Sequence, residues 1–315
     1  MRFPLAFLLP FLIAAAPATV VPPAPAPATK PGATTKPADF SKYVERWVTE
    51  PKIANPLLKH AEYPSAAMKT AVGYNVYLPP GYDDAANAEK RYPVIYWLHG
   101  LNQSENTNQY PPKNVDAAIK SGAIPPIIVI YVSGGGRSFY VDSADGKLLS
   151  ETTLTRELIP HVNVTYRTIA KREGRAIQGM SMGGWGALRI AMSHPELFSS
   201  VVAFAPSLRT PENLAETYPD VLSRMFGGDP KRFWAVHPLK LARDRADVLK
   251  AQMPIAFYCG NKDHLLPGSQ EMKKLLVELG IPHEYAEVDG AKHDLGPLIK
   301  FCGDSTLKFA VSHFK

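Results

Sequence analysis

Two stretches of this chain are apolar without a break, YPVIYWLHG (92–100) and PPIIVIYVSGGG (125–136). A strand with one wet face alternates apolar and polar side chains; a run without alternation reads as a strand covered on both faces. Shorter strand-like runs follow at RAIQG (175–179), SSVVAFAP (199–206), MPIAFYCG (253–260) and HEYAEVDG (283–290), and the alternating VGYNVYLP (72–79) precedes them. Helical patterns lie between. TLTRELIPHV (153–162) is one; a second carries Trp185, Leu188 and Met192 and stops before Pro195. SQEMKKLLVELG (269–280) ends on a glycine stop, and STLKFAVSHF (305–314) is the last. Strands alternating with helices predict an α/β fold with a mostly parallel central sheet and helices on both faces. One domain is expected over 40–315. Its longest connection, 207–249, holds helix-like pieces with Pro230 and Pro238, enough for a partial cap but not for a separate lid domain.

The first residues read differently. MRFPLAFLLPFLIAAAPA has one early charge, Arg2, an apolar run over 3–16 and then small residues. This is the pattern of a secretory signal peptide over 1–18, with Ala16-Pro17-Ala18 as the cleavage site. The run is shorter than the roughly 20 residues a membrane span needs, and no later segment is long and apolar enough, so no stable span is expected. No cysteine follows the run, which excludes a lipidated cysteine there. Residues 19–39 are mostly Pro, Ala and Thr and cannot pack a core; they read as a tether. An exported, periplasmic or extracellular, location follows. A net charge of +6 is spread among acids, as in RDRAD (243–247), with no basic block to track a phosphate backbone, so nucleic acid is not an expected partner. Cys259 and Cys302 either form one disulfide or are two buried thiols. Neither has a close partner at metal-binding spacing.

The chemistry concentrates at AIQGMSMGGWGAL (176–188), where Gly179-Met180-Ser181-Met182-Gly183 joins a strand to a helix. A serine at such a turn must adopt a strained backbone that lifts its oxygen above the sheet, and flanking glycines have no Cβ to clash there. The helix that follows aims N–H groups and the positive end of its dipole at incoming negative charge. The alternative is a glycine-rich packing joint. A nucleophilic serine needs a base, and the base needs an orienting acid; behind such an elbow they follow in the order Ser, acid, His. Asp263, after IAFYC, is placed as the acid and His293, after EYAEV, as the base. His264 precedes the last helix and strand and is badly placed as a base. His60, His161, His194, His237, His283 and His313 read as surface or capping residues. Asp289 and Asp294 are too near His293 in sequence to orient it. The group of His264, Asp263, His293 and Asp294 matches no metal-ligand spacing, so no metal is expected. Two N–H groups qualify as oxyanion donors, that of Met182 and that of Leu101, the latter because Gly100 lets the backbone approach a substrate. His99 reads as a loop-shaping residue.

VYLPPGYD, RYPVIYWLHG, ELIPHVNVTYRT, AIQGMSMGGWGAL and CGNKDHLLPGSQEMKKLLVELGIPHEY together resemble the putative-esterase (esterase D/feruloyl esterase-like) family of α/β hydrolases, over about 71–293. The resemblance implies the α/β-hydrolase fold, with nucleophile, acid and base at Ser181, Asp263 and His293. It implies ester hydrolysis through an acyl-enzyme, with no cofactor. SFYVDSADGK (138–147) is similar to the family loop bordering the active site, which makes Tyr140 and Asp142 candidate substrate contacts or loop-structural residues. Feruloyl-like members often carry Gly before the histidine and Trp beyond it; here AKHDLGPL has Lys292 and Leu298, a departure that bears on substrate rather than chemistry. Export and a modest cap point to feruloyl or acetyl esters of carbohydrates. Acyl transfer by the same three residues, and a non-catalytic carbohydrate-binding protein of this fold, are the alternatives.

Overall fold

Val94–Leu98 and Ile128–Val132 are buried at every position, as unbroken apolar runs require. In the computed structural model, which describes residues 47–48, 55–107 and 112–315, they are the third and fourth strands of one eight-stranded sheet. The chain divides into Met1–Ala38 and Asp39–Lys315, and every described residue belongs to the second unit. The expected leader (1–18) and tether (19–39) lie outside the described residues.

The strands are β1 (Leu58–Ser65), β2 (Thr70–Tyr77), β3 (Val94–Leu98), β4 (Ile128–Val132), β5 (Arg175–Met180), β6 (Ser200–Phe204), β7 (Ile255–Gly260) and β8 (His283–Val288), in the order β1-β2-β4-β3-β5-β6-β7-β8. β1 pairs antiparallel with β2 and β2 antiparallel with β4; all other pairs are parallel. The expectation of a mostly parallel sheet holds. β1 (LKHAEYPS) was not legible in the sequence. It is an edge strand whose charged residues face water, and Pro64 is tolerated only because an edge leaves its missing N–H unneeded.

The helices are α1 (Pro112–Lys120), α2 (Ser150–Thr152), α3 (Ile159–Thr165), α4 (Met182–Ser193), α5 (Pro211–Thr217), α6 (Pro219–Phe226), α7 (Pro230–Ala235), α8 (Pro238–Asp244), α9 (Ala246–Gln252), α10 (Leu266–Glu278), α11 (Leu295–Cys302) and α12 (Ser305–Ser312). Thr153–Leu158, a six-residue π-helical segment, joins α2 to α3 just ahead of Pro160, which has no N–H to offer an α-helical ladder. The connection over 207–249 is five short helices, α5 to α9. Each of the first four begins on a proline, the residue preset for a helix start. α11 was not anticipated. Its Leu-Gly-Pro start reads as a turn, but Asp294 caps it by accepting the Gly296 N–H at 3.0 Å and the proline falls within the first turn.

Alternation along β3 sends its side chains to two cores. Val94, Tyr96 and Leu98 join Trp185, Leu188 and Met192 of α4 and Met272 and Leu275 of α10 on one face. Ile95 and Trp97 join Val115 of α1, Leu298 of α11 and Leu307 of α12 on the other. Helices thus cover both faces. Cys259 and Cys302 are both buried in this second core as free thiols. Among the described residues no helix is long and apolar enough to cross a membrane.

Candidate active site

The parallel strands β3, β5, β7 and β8 release their loops at the same end of the sheet, the end where open α/β sheets bind ligands. Ser181 follows β5 directly. Its φ of 59° and ψ of −116° lie where a residue with a Cβ rarely goes and cost about 1–3 kcal/mol. The surroundings fix that strain. The Ser181 N–H donates to Phe204 O at 2.9 Å, and Ser181 O accepts from the N–H groups of Trp185 and Ser207, each at 3.0 Å. Gly179 and Gly183 let three backbones meet: a Cβ on Gly183 would run into the Leu98 carbonyl oxygen, and one on Gly179 into the Gly183 carbonyl. The sequence reading of both glycines as steric necessities has this contact as its cause.

Asp263 sits in the loop after β7, its carboxylate fully buried. His293 sits in the loop between β8 and α11. The His293 Nδ1 is 2.7 Å from Asp263 Oδ2, and His293 Nε2 is 2.9 Å from Ser181 Oγ. An ionised carboxylate only accepts, so Nδ1 carries the proton and the Nε2 lone pair faces the serine hydroxyl. The other carboxylate oxygen accepts the Leu265 N–H at 2.9 Å. Burial raises the Asp263 carboxyl, but the hydrogen bonds from His293 and Leu265 outweigh it and hold the group below its ordinary range. The three residues named from sequence order thus come together in one hydrogen-bonded chain.

The loop after β3 supplies the facing wall. The Gly100 N–H donates to Gln103 Oε1 at 2.8 Å, while Leu101 lines the cavity with its N–H bonded to no described residue. Met182 is the first residue of α4, where an N–H has no partner within the helix. His99 lies beneath. Its Nε2 accepts the Gly134 N–H at 3.2 Å, so its Nδ1–H donates to Gly100 O at 2.8 Å; burial pushes its pKa down to about 4, keeping it neutral. Its place is that of a loop-shaping residue.

Tyr140 and Asp142 are not among the residues lining the cavity, and of their two sequence readings their contacts are those of loop-structural residues. Tyr140 is fully buried, its ring wedged between Gly134 and Gly186, and its hydroxyl donates to His99 O at 3.1 Å. Asp142 accepts from the Thr152 N–H at 3.1 Å and from Thr152 Oγ1 at 2.6 Å, tying the loop to the end of α2. Both are spent on holding the loop. The cavity, about 320 Å³, is lined instead by Asn102, Gln103, Phe139, Ser207, Arg209 and Tyr218, with His264 and Asp294 at its rim. Sequence reasoning missed Arg209 and Tyr218. They belong to the segment read only as a partial cap, and no local motif marks them.

Asp263, His264 and His293 bring candidate ligand atoms within 4.8 Å of one another. Their commitments suit proton transfer better than a cation: His293 uses both nitrogens on Asp263 and Ser181, and His264 Nε2 faces the cationic Arg209 Nη2 at 2.9 Å.

Comparison with known proteins agrees with this architecture. Residues 65–296 match the family described as Putative esterase. An esterase of Mycobacterium tuberculosis is 29% identical over 259 residues, covering 75% of this chain and 56% of that protein. An endo-1,4-beta-xylanase/feruloyl esterase of Xylanibacter ruminicola is 33% identical over 170 residues, 51% of this chain and 22% of that protein. The chain thus spans little more than half the length of the mycobacterial relative. Among solved structures, a ferulic acid esterase superposes with a TM-score of 0.69 at 25% identity, over 82% of this chain and 98% of that one. An eight-stranded, mostly parallel sheet with its strained serine at the end of β5 is the α/β-hydrolase fold, and this chain belongs to the Putative esterase family.

Proposed function

We propose that this protein is a serine carboxylic ester hydrolase that works through an acyl-enzyme. The carrying observation is the chain Asp263–His293–Ser181, at 2.7 and 2.9 Å, on a serine of positive φ that opens into a cavity. Ser181 Oγ attacks the ester carbonyl as its proton passes to His293 Nε2. Asp263 holds the imidazole in the right tautomer and stabilises the imidazolium. The Leu101 and Met182 N–H groups receive the oxyanion, one such donor being worth about 3 kcal/mol. Collapse expels the alcohol, which takes the proton from His293. Water then adds to the acyl-Ser181 carbonyl, giving a proton to His293, and the second collapse releases the acid and restores Ser181. The steps call on no metal ion or organic cofactor.

The proposed substrate is a feruloyl or acetyl ester of a carbohydrate, met outside the cytoplasm after removal of residues 1–18, with 19–39 as a tether. Support comes from the relatives named as feruloyl esterases and from the leader pattern. Turnover of p-nitrophenyl acetate, methyl ferulate and acetylated xylan tests it. Ser181→Ala should lower kcat by about 10³-fold or more with unchanged circular dichroism, and N-terminal sequencing of exported protein should begin at Thr19. Equal turnover by wild type and Ser181→Ala would sink the serine mechanism.

A further inference from the structure

Tyr218, between α5 and α6, has two guanidinium groups near its ring, with Arg137 Cζ 5.4 Å and Arg209 Cζ 5.2 Å from the centroid. The two arginines are supplied differently. Arg137 is buried and holds Asp220 with two parallel bonds, Nε to Oδ2 and Nη2 to Oδ1, both 2.7 Å. Its charge is matched inside the protein. Arg209 is half-buried, lines the cavity and has neutral acceptors: Nη1 donates to Asn213 Oδ1 at 2.6 Å and Nη2 to His264 Nε2 at 2.9 Å. Among the described residues no carboxylate forms an ion pair with it, and its Nε–H is buried without an acceptor. Asp263 contributes a favourable field, but that carboxylate is committed to His293. Asp294, at the rim, spends one oxygen on capping α11.

The backbone of Arg209 is fixed relative to the nucleophile. Its N–H donates to Ser207 O at 2.9 Å, and the Ser207 N–H donates to Ser181 O at 3.0 Å. Its carbonyl accepts from Nε2 of the fully buried His237 at 3.1 Å, whose Nδ1 accepts the Leu239 N–H. The His264 ring that meets the guanidinium is 5.0 Å from the His293 ring. The cation therefore stands one imidazole away from the base that faces Ser181.

A guanidinium whose fork finds only neutral acceptors, in a cavity beside a nucleophile, is built to receive a carboxylate. We propose that Arg209 is a specificity-determining residue that selects esters carrying a second, free carboxylate near the scissile carbonyl. The inference rests on the esterase reading: a carboxylate on the alcohol narrows the proposed substrate, and one on the acyl part replaces its feruloyl or acetyl group. The carboxylate comes either from the acyl part, as in a dicarboxylic half-ester, or from the alcohol part, as in an ester of an acidic sugar or phenol.

Two ester pairs separate these sources. p-Nitrophenyl hydrogen succinate against its methyl ester places the charge on the acyl side; 4-acetoxybenzoate against its methyl ester places it on the alcohol side. At least one pair should favour the acid by about tenfold or more in kcat/KM, and Arg209→Gln should lower that ratio about tenfold, with Arg209→Lys retaining part of it. The responding pair names the side. Ratios at or below one in both pairs, or a ratio indifferent to Arg209→Gln, overturn the proposal. Calorimetry reads the same site without turnover: Ser181→Ala protein should bind monomethyl succinate more tightly than dimethyl succinate, and Ser181→Ala/Arg209→Gln should lose the difference. Equal binding of the two by Ser181→Ala, together with equal binding of 4-acetoxybenzoate and its methyl ester, overturns the proposal. Preferential binding without hydrolysis of any of the four esters would uphold the carboxylate site and remove the esterase reading.

Discussion

Single residues show how much of the site is support for other residues. Tyr140 never meets the cavity, yet its hydroxyl holds the His99 carbonyl, next to the loop that carries Leu101. Tyr140→Phe should therefore lower stability by about 1 kcal/mol and reduce kcat/KM for all esters by the same factor. A change in substrate ranking would restore the residue to the list of substrate contacts. His99 and His237 are both buried and both held at a pKa of about 4 by desolvation. The unfolded chain takes up protons near pH 6.5 where the native one does not, so stability falls as pH drops from about 6.5 to about 4 and levels off below. Each residue contributes on the order of 3 kcal/mol over that window. His237→Asn keeps an oxygen to cap α8 and removes one titrating group. The pH dependence of urea unfolding between pH 4 and 6.5 should then lose about one proton of slope.

At the scale of elements, the elbow works because β3, β5 and α4 touch backbone to backbone. Gly183→Ala would place a methyl against the Leu98 and His99 carbonyl oxygens, which are fixed in a buried strand and its exit. We expect a loss of about 3 kcal/mol or more, or failure to fold. Gly290→Ala, at a φ of 69° with open space around it, should cost only about 1 kcal/mol. Thermal melts of the two variants make the comparison, and equal losses would refute the packing account. A polar clamp works at the rim of α4. Glu151, in α2, accepts from Arg189 Nη2 and from His194 Nε2, the latter at 2.7 Å. Burial alone would raise this carboxyl, but the His194 bond and the Arg189 charge hold it at about 2. Its contribution is complete above about pH 4.5 and fades as pH falls toward 2. Glu151→Gln should abolish that part of the acid limb, losing on the order of 2 kcal/mol at neutral pH.

For the whole molecule, the two-faced sheet explains the cysteines: Cys259 and Cys302 are buried in one of its cores, and desolvation pushes both thiols up to about 12. Neither should react with a thiol reagent in native protein, and both should titrate in guanidinium; one titrating pair only after reduction would show a disulfide instead. Sequence by itself determined the layer architecture, because uninterrupted apolar strands demand cover on both faces. It also placed Ser181, Asp263 and His293 together, because parallel strands have the loops that follow them at the same end of the sheet. It named His99 as a loop-shaping residue from its local setting, while His237, read with five other histidines as surface or capping, is a fully buried cap of α8. Only the tertiary structure decided where β1 pairs, since an edge strand with one wet side has no apolar signature. Only it showed that Tyr140 and Asp142 turn inward, since a loop's direction follows from what it packs against. And only it revealed Arg209: a guanidinium's meaning lies in which carboxylates surround it, and those stand on other elements, far away in sequence.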